Sequence, residues 1–327
     1  MFMPGHADAL DADMLLMPGG PPACRCPHSS ELSMTRRRSV IVAGLALVTL
    51  AAVWRYGIAQ HWTQRIPPGW SITTRFAGTQ TYPGPDGKLP ARDQLDEYTR
   101  ELRVVDERGR PDSVRITHTL TVIDPKTRKV TWEYMTNELV DPRTGARLEP
   151  AYRGDVALFP RETEKRTYRY RSNFAKGVPL AFEREETVAG LGTYLYSYRG
   201  RGEYTESYAG SPKFPGLPLP AGQEIRCADD QFYLRIWVEP HTGAYVKIDE
   251  GCPSGDYFYD VATGQQLAVV DRFSGTAAGA RLLERVEEVQ VLRLKYLFHR
   301  RYLPLSLLLL GLVLVGAGAW AERRSPS

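Results

Sequence analysis

The sequence lacks the common catalytic signatures. It has no GxSxG nucleophile turn, no HExxH pair, no GxxxxGK[ST] phosphate loop and no GxGxxG. The hydrolase, metalloprotease and nucleotide-binding classes built on those motifs lose their support. Histidine is scarce, six in 327 residues, and cysteine scarcer, at four. No CxxC or HxxxH spacing of a zinc site occurs, so neither metal nor cofactor is expected. Charge imbalance is missing as well. Residues 60–299 hold 33 Lys+Arg and 33 Asp+Glu, so the net +4 comes from the ends. A neutral central region has no electrostatic footprint for nucleic acid.

What is present begins with two uncharged runs, SVIVAGLALVTLAAVW (39–54) and YLPLSLLLLGLVLVGAGAW (302–320). A helix needs about 20 apolar residues to cross a bilayer. The second run meets this, with Tyr302 and Trp320 where interfacial aromatics sit. The first extends past Arg55 if that side chain snorkels. Arg36, Arg37 and Arg38 before the first run put the N-terminus in the cytoplasm, and a second span returns the C-terminus there. Arg300 and Arg301 fall on the outer side, where anionic headgroups suit them. A cleaved signal peptide is the competing reading of the first run.

The expected organisation is therefore a tail at 1–34, disordered or preceding a later start at Met34, and a first span at 35–59. An extracytoplasmic domain follows at 60–275, then a juxtamembrane helix at 276–301, a second span at 302–320 and a short cytoplasmic tail at 321–327. The fold class is mainly β. Polar and apolar residues alternate in 103–124, 129–141, 192–204, 232–240 and 244–250, the period of half-buried antiparallel strands. Pro- and Gly-rich loops lie at 82–90 and 210–222. From Thr276, Leu282, Leu283, Val286 and Val289 follow helical spacing, and Arg281, Arg285, Glu284, Glu288, Glu287 and Arg293 mark a solvated face.

One phrase recurs. VDPRTG (140–145) and VEPHTG (238–243) share an acid, a proline and a Thr-Gly pair. Asp141 or Glu239 accepts backbone N–H bonds, Pro142 or Pro240 presets φ, and Gly145 or Gly243 supplies positive φ. The phrase reads as a hairpin turn with a bulge. IDPKTRK (123–129) and YDVATGQ (259–265) are weaker copies. The alternative is an acid and His241 exposed on a functional loop.

Cys227 and Cys252 lie between the spans, in an oxidising space, and one disulfide is expected there. Its loop of about 25 residues would contribute roughly 3 kcal/mol. A metal site completed by His241 and Asp229 is the alternative. Cys24 and Cys26 fall in the tail.

The most distinctive local feature is FPRETEKRTYRYRSNFAKG (159–177). Extended, it puts Lys165, Arg169 and Arg171 on one face and Arg166, Tyr168 and Tyr170 on the other. Guanidinium forks suit phosphate and carboxylate, and aromatic faces suit sugars or acyl chains. Tyr194, Tyr196 and Tyr198 form a second one-sided row. The expected ligand-binding set is Lys165, Arg166, Arg169 and Arg171 with Tyr168, Tyr170, Tyr194 and Tyr196. The competing reading is a tyrosine core face under a charged solvent face. His118 lies on the face of Ile116 and Leu120 and reads as a core residue.

The order of these motifs resembles the PorA-type porin family of actinobacterial-type envelopes. The resemblance rests on the N-terminal anchor, the DPRTG turn (141–145), FP-xx-TEKRTY (159–168), Gly192 with Tyr194 and Tyr196, WVEPHTG (237–243) and Pro304 opening the last span. It implies a two-span membrane protein with one extracytoplasmic domain, and for some members a part in glycolipid or lipoglycan assembly. It implies no catalytic residues. The leading expectation is a non-enzymatic protein that binds, shields or transfers an anionic envelope lipid or glycolipid, or scaffolds envelope-assembly proteins. The alternatives are a carboxylate hydrolase or transferase using Glu183, Glu185, Asp229 or Asp230, and a subunit of an oligomeric pore.

Overall fold

The computed structural model describes residues 29–59, 66, 71–81, 94–106, 112–170, 177–207 and 224–323. The loops predicted at 82–90 and 210–222, with Cys24, Cys26 and Arg171, lie outside the described residues. The chain divides into two compact units, Met1–Ala46 with Leu310–Ser327, and Leu47–Leu309.

Helix α1 (Ser29–Val53) carries the first apolar run. Two further helices end the chain, α2 (Gly279–Leu297) and α3 (Leu303–Arg323), joined by one π-helical turn at Phe298–Tyr302. Thr35–Ile58 and Gly279–Arg323 are each long and apolar enough to cross a membrane. Within the first unit α1 and α3 pack closely. A Cβ on Gly44 would lie 2.7 Å from the Gly311 carbonyl oxygen, and Gly318 faces Ile41. Such small-residue contacts let apolar helices approach where lipid gives no hydrophobic drive. The pairing of 41 with 318 and of 44 with 311 makes the two helices antiparallel.

The second unit is built on ten antiparallel strands: β1 (Ser71–Thr81), β2 (Gln94–Asp106), β3 (Val114–Ile123), β4 (Val130–Val140), β5 (Tyr168–Tyr170), β6 (Val178–Val188), β7 (Leu191–Ser207), β8 (Ile225–Glu239), β9 (Ala244–Asp260) and β10 (Gln266–Thr276). They run in the order β4-β3-β2-β1-β10-β9-β8-β7-β6-β5. The two edges are linked by single bridges through the intervening segment: Val140 with Arg147, Ala146 with Val156, and Val156 with Tyr170. The sheet therefore curls round a filled interior. One cluster draws Leu102 from β2, Ile116 from β3, Tyr170 from β5, Leu180 from β6, Tyr196 from β7, Leu234 and Ile236 from β8, and Tyr245 from β9.

Alternation on β3 shows which side is which. Val114, Ile116, His118, Leu120 and Val122 are buried, and the residues between them face out. A lipid-spanning barrel needs an apolar outer band. The described strands instead turn Arg115, Glu183, Arg184, Glu185 and Arg235 outward, around an inside packed with Leu, Ile and Tyr. The interior also holds ion pairs, Arg100 with Glu250 and Arg147 with Glu138. His118 lies among them, its pKa driven down to about 3 by burial and then by the charges of Arg100 and Arg147.

Helix α2 covers the outer face of β7–β9. Val286 and Val289 pack on Leu191, Leu195, Trp237, Ala244 and Val246. The solvated face expected for α2 is corrected at Arg285, which is buried and donates from Nε to the Tyr245 carbonyl at 2.8 Å.

The expected disulfide does not form. Cys227 on β8 stands opposite Phe258, whereas Cys252 on β9 stands opposite Phe273 of β10. The two are offset by six residues along β9, on the order of 20 Å at about 3.3 Å per residue. A disulfide tolerates a Cα separation of no more than about 7 Å. Both thiols are buried.

Candidate functional site

The twin turns dock one segment. At 141–145, Asp141 Oδ1 accepts the N–H of Arg143 at 2.7 Å, and Gly145 N–H donates to the Asp141 carbonyl at 2.9 Å. At 239–243, Glu239 Oε2 accepts from the N–H and the hydroxyl of Thr242 at 2.8 and 2.7 Å. Gly145 and Gly243 take φ of +68° and +70°. A Cβ on Gly145 would collide with the Leu158 carbonyl, and one on Gly243 with the carbonyls of Phe159 and Pro160. Both turns therefore press on Leu158–Pro160, and the Thr163 amide donates to the Pro240 carbonyl at 2.7 Å. The repeated phrase is a repeated piece of folding that seats the FPRETEKRTYRY segment.

The tyrosines finish that seating. Tyr196 Oη donates to the Glu164 carbonyl at 2.6 Å, Tyr168 Oη accepts from the Glu164 amide at 3.0 Å, and Tyr245 Oη donates to the Ala157 carbonyl at 2.9 Å. Their rings surround Phe159 at centroid distances of 4.7 to 5.8 Å. Buried loop backbone needs partners, and the phenols supply them. Tyr168, Tyr170 and Tyr196 are thus core residues whose rings face inward, away from any ligand on the outer surface. Among the described residues of this stretch, only β5 is a strand. The face split expected from Lys165 onward holds for Tyr168, Arg169 and Tyr170, and the preceding residues form a turn.

The basic side chains point outward, each beside an acid. Lys165 pairs with Glu185 of β6 and stands over the rings of Tyr194 and Phe182 at 5.3 and 5.8 Å. Arg166 pairs with Glu164 at 3.1 Å and covers Tyr168, 4.6 Å from its centroid. Arg169 reaches buried Asp155 at 3.2 Å. Of the eight predicted ligand-binding residues, Lys165, Arg166 and Arg169 present charge at the surface and Tyr194 is half-buried beside them.

A second group joins this segment to α2 and the turn at Phe298–Tyr302. Arg161 and Glu162 come from the FPRETEKRTYRY run and Glu239 and His241 from the VEPHTG turn, whereas Tyr296 and Arg300 belong to no motif. Glu162 Oε1 accepts from Tyr296 Oη at 2.7 Å, and Glu162 Oε2 lies 3.2 Å from His241 Nδ1. Arg300 reaches the same carboxylate at 3.5 Å and also contacts Tyr296 Oη. Arg161 and Arg300 both lie over the Tyr296 ring, at 5.8 and 5.5 Å. Burial pushes the Glu162 carboxyl up, but the bonds from Tyr296 and His241 and the charge of Arg300 outweigh it and hold the pKa below its ordinary value. Burial lowers that of Arg161. Glu239, fully buried, reaches Arg293 of α2 at 3.5 Å with its other oxygen. At the end of α1, Trp54 donates from Nε1 to the His299 carbonyl at 3.0 Å and stacks on the His299 ring.

The carboxylates expected for acid–base work do not converge. Arg184 pairs with Glu183 and Glu186, and Glu185 with Lys165. Glu185 is level with Tyr194 on β7, whereas Asp229 is level with Gly202, eight residues farther along. Asp230 is exposed and bound by Arg201 and Tyr257 at 3.0 and 2.9 Å.

No curated protein matches the chain significantly. A family model, that of Porin PorA, matches residues 39–320, which takes in the second half of α1, every described strand, all of α2 and nearly all of α3. The chain therefore belongs to the Porin PorA family.

Proposed function

We propose that this protein is a two-pass membrane-anchored envelope protein, with both termini cytoplasmic. Its sheet domain binds the anionic part of an envelope lipid or glycolipid and does no covalent chemistry. The single observation behind this reading is the docking of a basic segment on the juxtamembrane helix. Arg161 and Arg300 meet at the ring of Tyr296, next to the apolar run that begins at Tyr302. Phosphate and carboxylate groups of lipids sit at that depth, and guanidinium forks bind them. Lys165, Arg166 and Arg169 continue the basic surface along the same segment, with Tyr194 and Phe182 as apolar backing. A pore through one chain fits poorly with a sheet packed with side chains inside and charged outside.

The test is native mass spectrometry on full-length protein in mild detergent, with titration into nanodiscs of anionic or zwitterionic lipid. We expect a reproducible lipid adduct and a preference for the anionic discs. Replacing Arg161 and Arg300 by Gln is expected to weaken that preference by about fivefold per charge, from about 1 kcal/mol per basic residue at an anionic surface. Equal binding to both lipids, or no change in the variants, overturns the reading.

A further inference from the structure

Three ladders of the sheet lose register at one level. Between β7 and β8 one of two shifts falls between Gly200 and Gly202. Between β8 and β9 it falls between Ala228 and Tyr233. Between β9 and β10 shifts fall on either side of Asp271, the partner of Asp256. Bulges re-aim side chains and are over-represented beside functional sites. Here the break turns three ligating side chains toward one point. A carboxylate oxygen each from Asp229 and Asp256, and Sγ of Cys252, lie within 4.8 Å of one another. Asp229 and Cys252 are fully buried, and Asp256 nearly so.

The surroundings already hold the first two in place. Asp229 Oδ1 accepts from the Gln231 amide at 2.7 Å and from Ser254 Oγ at 2.7 Å. Cys252 Sγ accepts from the Phe273 amide at 3.2 Å. Metal ligands are oriented by outer hydrogen bonds of this kind. Among the described residues, Asp229 Oδ2 is buried with no hydrogen-bond partner, in a residue with no exposed surface. A carboxylate oxygen buried without a donor costs several times what a satisfied one does, unless a cation meets it.

We propose that Asp229, Cys252 and Asp256 form a binding site for a divalent transition-metal ion of the zinc type. The donor set selects the ion. Thiolate with carboxylate suits zinc, and calcium and magnesium prefer oxygen alone. Tetrahedral zinc with bonds of about 2.0 to 2.3 Å sets its ligand atoms about 3.3 to 3.7 Å apart. The cluster therefore needs only a slight closure. Three protein ligands leave a fourth position for water or another donor. The site also accounts for Cys252, which the register keeps away from Cys227. It lies on β8 and β9 about ten residues from the turn that seats the basic segment, so either reading can fail alone.

The experiment uses full-length protein in detergent, stripped with EDTA and titrated with Zn²⁺, then with Co²⁺ as a spectroscopic substitute. We expect one equivalent of Zn²⁺, a rise in the melting temperature, and a thiolate-to-cobalt charge-transfer band in the near ultraviolet. A hundredfold excess of Ca²⁺ should not compete. Cys252→Ser should remove the band, and Asp256→Asn should weaken Zn²⁺ at least tenfold. Asp229→Asn should abolish the thermal gain from Zn²⁺ while leaving the metal-free protein folded by circular dichroism. The wild-type cobalt spectrum decides even if a variant fails to fold. Uptake without a thiolate band, no stoichiometric uptake, or retained binding in all three variants overturns the proposal.

Discussion

Single residues carry the turn chemistry, and here the sequence is legible. All four copies of the phrase place their sixth residue at positive φ: Arg128 at 57°, Gly145 at 68°, Gly243 at 70° and Gly264 at 70°. An L residue in that region costs roughly 1 to 2 kcal/mol. At Gly145 a side chain would also meet the Leu158 carbonyl, so Gly145→Ala is expected to destabilise by about 2 to 4 kcal/mol in urea denaturation. Gly264 has open space, so Gly264→Ala should cost only the backbone part, about 1 kcal/mol. Equal losses at the two sites would show that the Leu158 contact does not matter. His118 gives a prediction of another kind. Its folded pKa is depressed to about 3 by burial, against about 6.5 unfolded. Below pH 6.5 the unfolded chain gains a proton that the folded one refuses, so stability present at neutral pH drains away as the pH falls toward 3. The slope approaches about 1.4 kcal/mol per pH unit, roughly 2 to 3 kcal/mol lost by pH 4.5. His118→Gln should flatten that limb, as measured by thermal melts from pH 7 to 4.5. The tyrosines were harder to read. Their alternation is visible in the sequence, but a core face and a binding face alternate alike. Only the bonds from Tyr196 and Tyr245 to the backbone of 157–164 separate the two.

Whole elements show where one-dimensional reading stops. The spacing of Leu282, Leu283, Val286 and Val289 predicts α2; Leu282, Val286 and Val289 do face β7–β9, whereas Leu283 is exposed. What holds the far end of α2 has no periodicity to betray it. Glu239 stands where Asp141 stands in the twin turn, and the extra methylene lets one carboxylate cap Thr242 and reach Arg293 together. Glu239→Asp should therefore keep the hairpin and loosen the helix. Hydrogen exchange along the second half of α2 is expected to quicken, with little change in the β8–β9 turn. Unaltered exchange in α2 would mean that the Arg293 contact carries no weight. Tyr296→Phe removes the Glu162 bond without changing shape, and on the order of 1 kcal/mol should be lost from the same region. The register that parts Cys227 from Cys252 belongs to this scale too. Plain counting from the Glu239–Ala244 pair already sets Cys227 opposite residue 256, four residues from Cys252, and the register shifts along the ladder move its partner on to Phe258.

At the scale of the molecule, the sheet closes on itself and buries charge. Alternation forecast many antiparallel strands. It could not forecast that β4 and β5, the two edges, would be joined through Val140, Arg147, Val156 and Tyr170, because single bridges leave no pattern. Closure brings Arg100 of β2 against Glu250 of β9, residues 150 apart in the chain and both nearly inaccessible. The hydrophobic term alone does not favour that pair. Two charges leave water, and their attraction at best offsets the desolvation. The pair is therefore expected to specify which strands meet across the interior rather than to add net stability. Breaking it from one side leaves a buried charge alone. Arg100→Met should cost about 3 to 5 kcal/mol, and Glu250→Leu a similar amount. The double variant should recover most of that loss, because apolar packing replaces both charges at once. Urea denaturation of the four proteins gives the coupling. A double variant as unstable as the sum of the singles would mean that Arg100 and Glu250 act independently. A recovered double variant with a broadened transition would show that the pair secures a single closed sheet more than it secures a deep one.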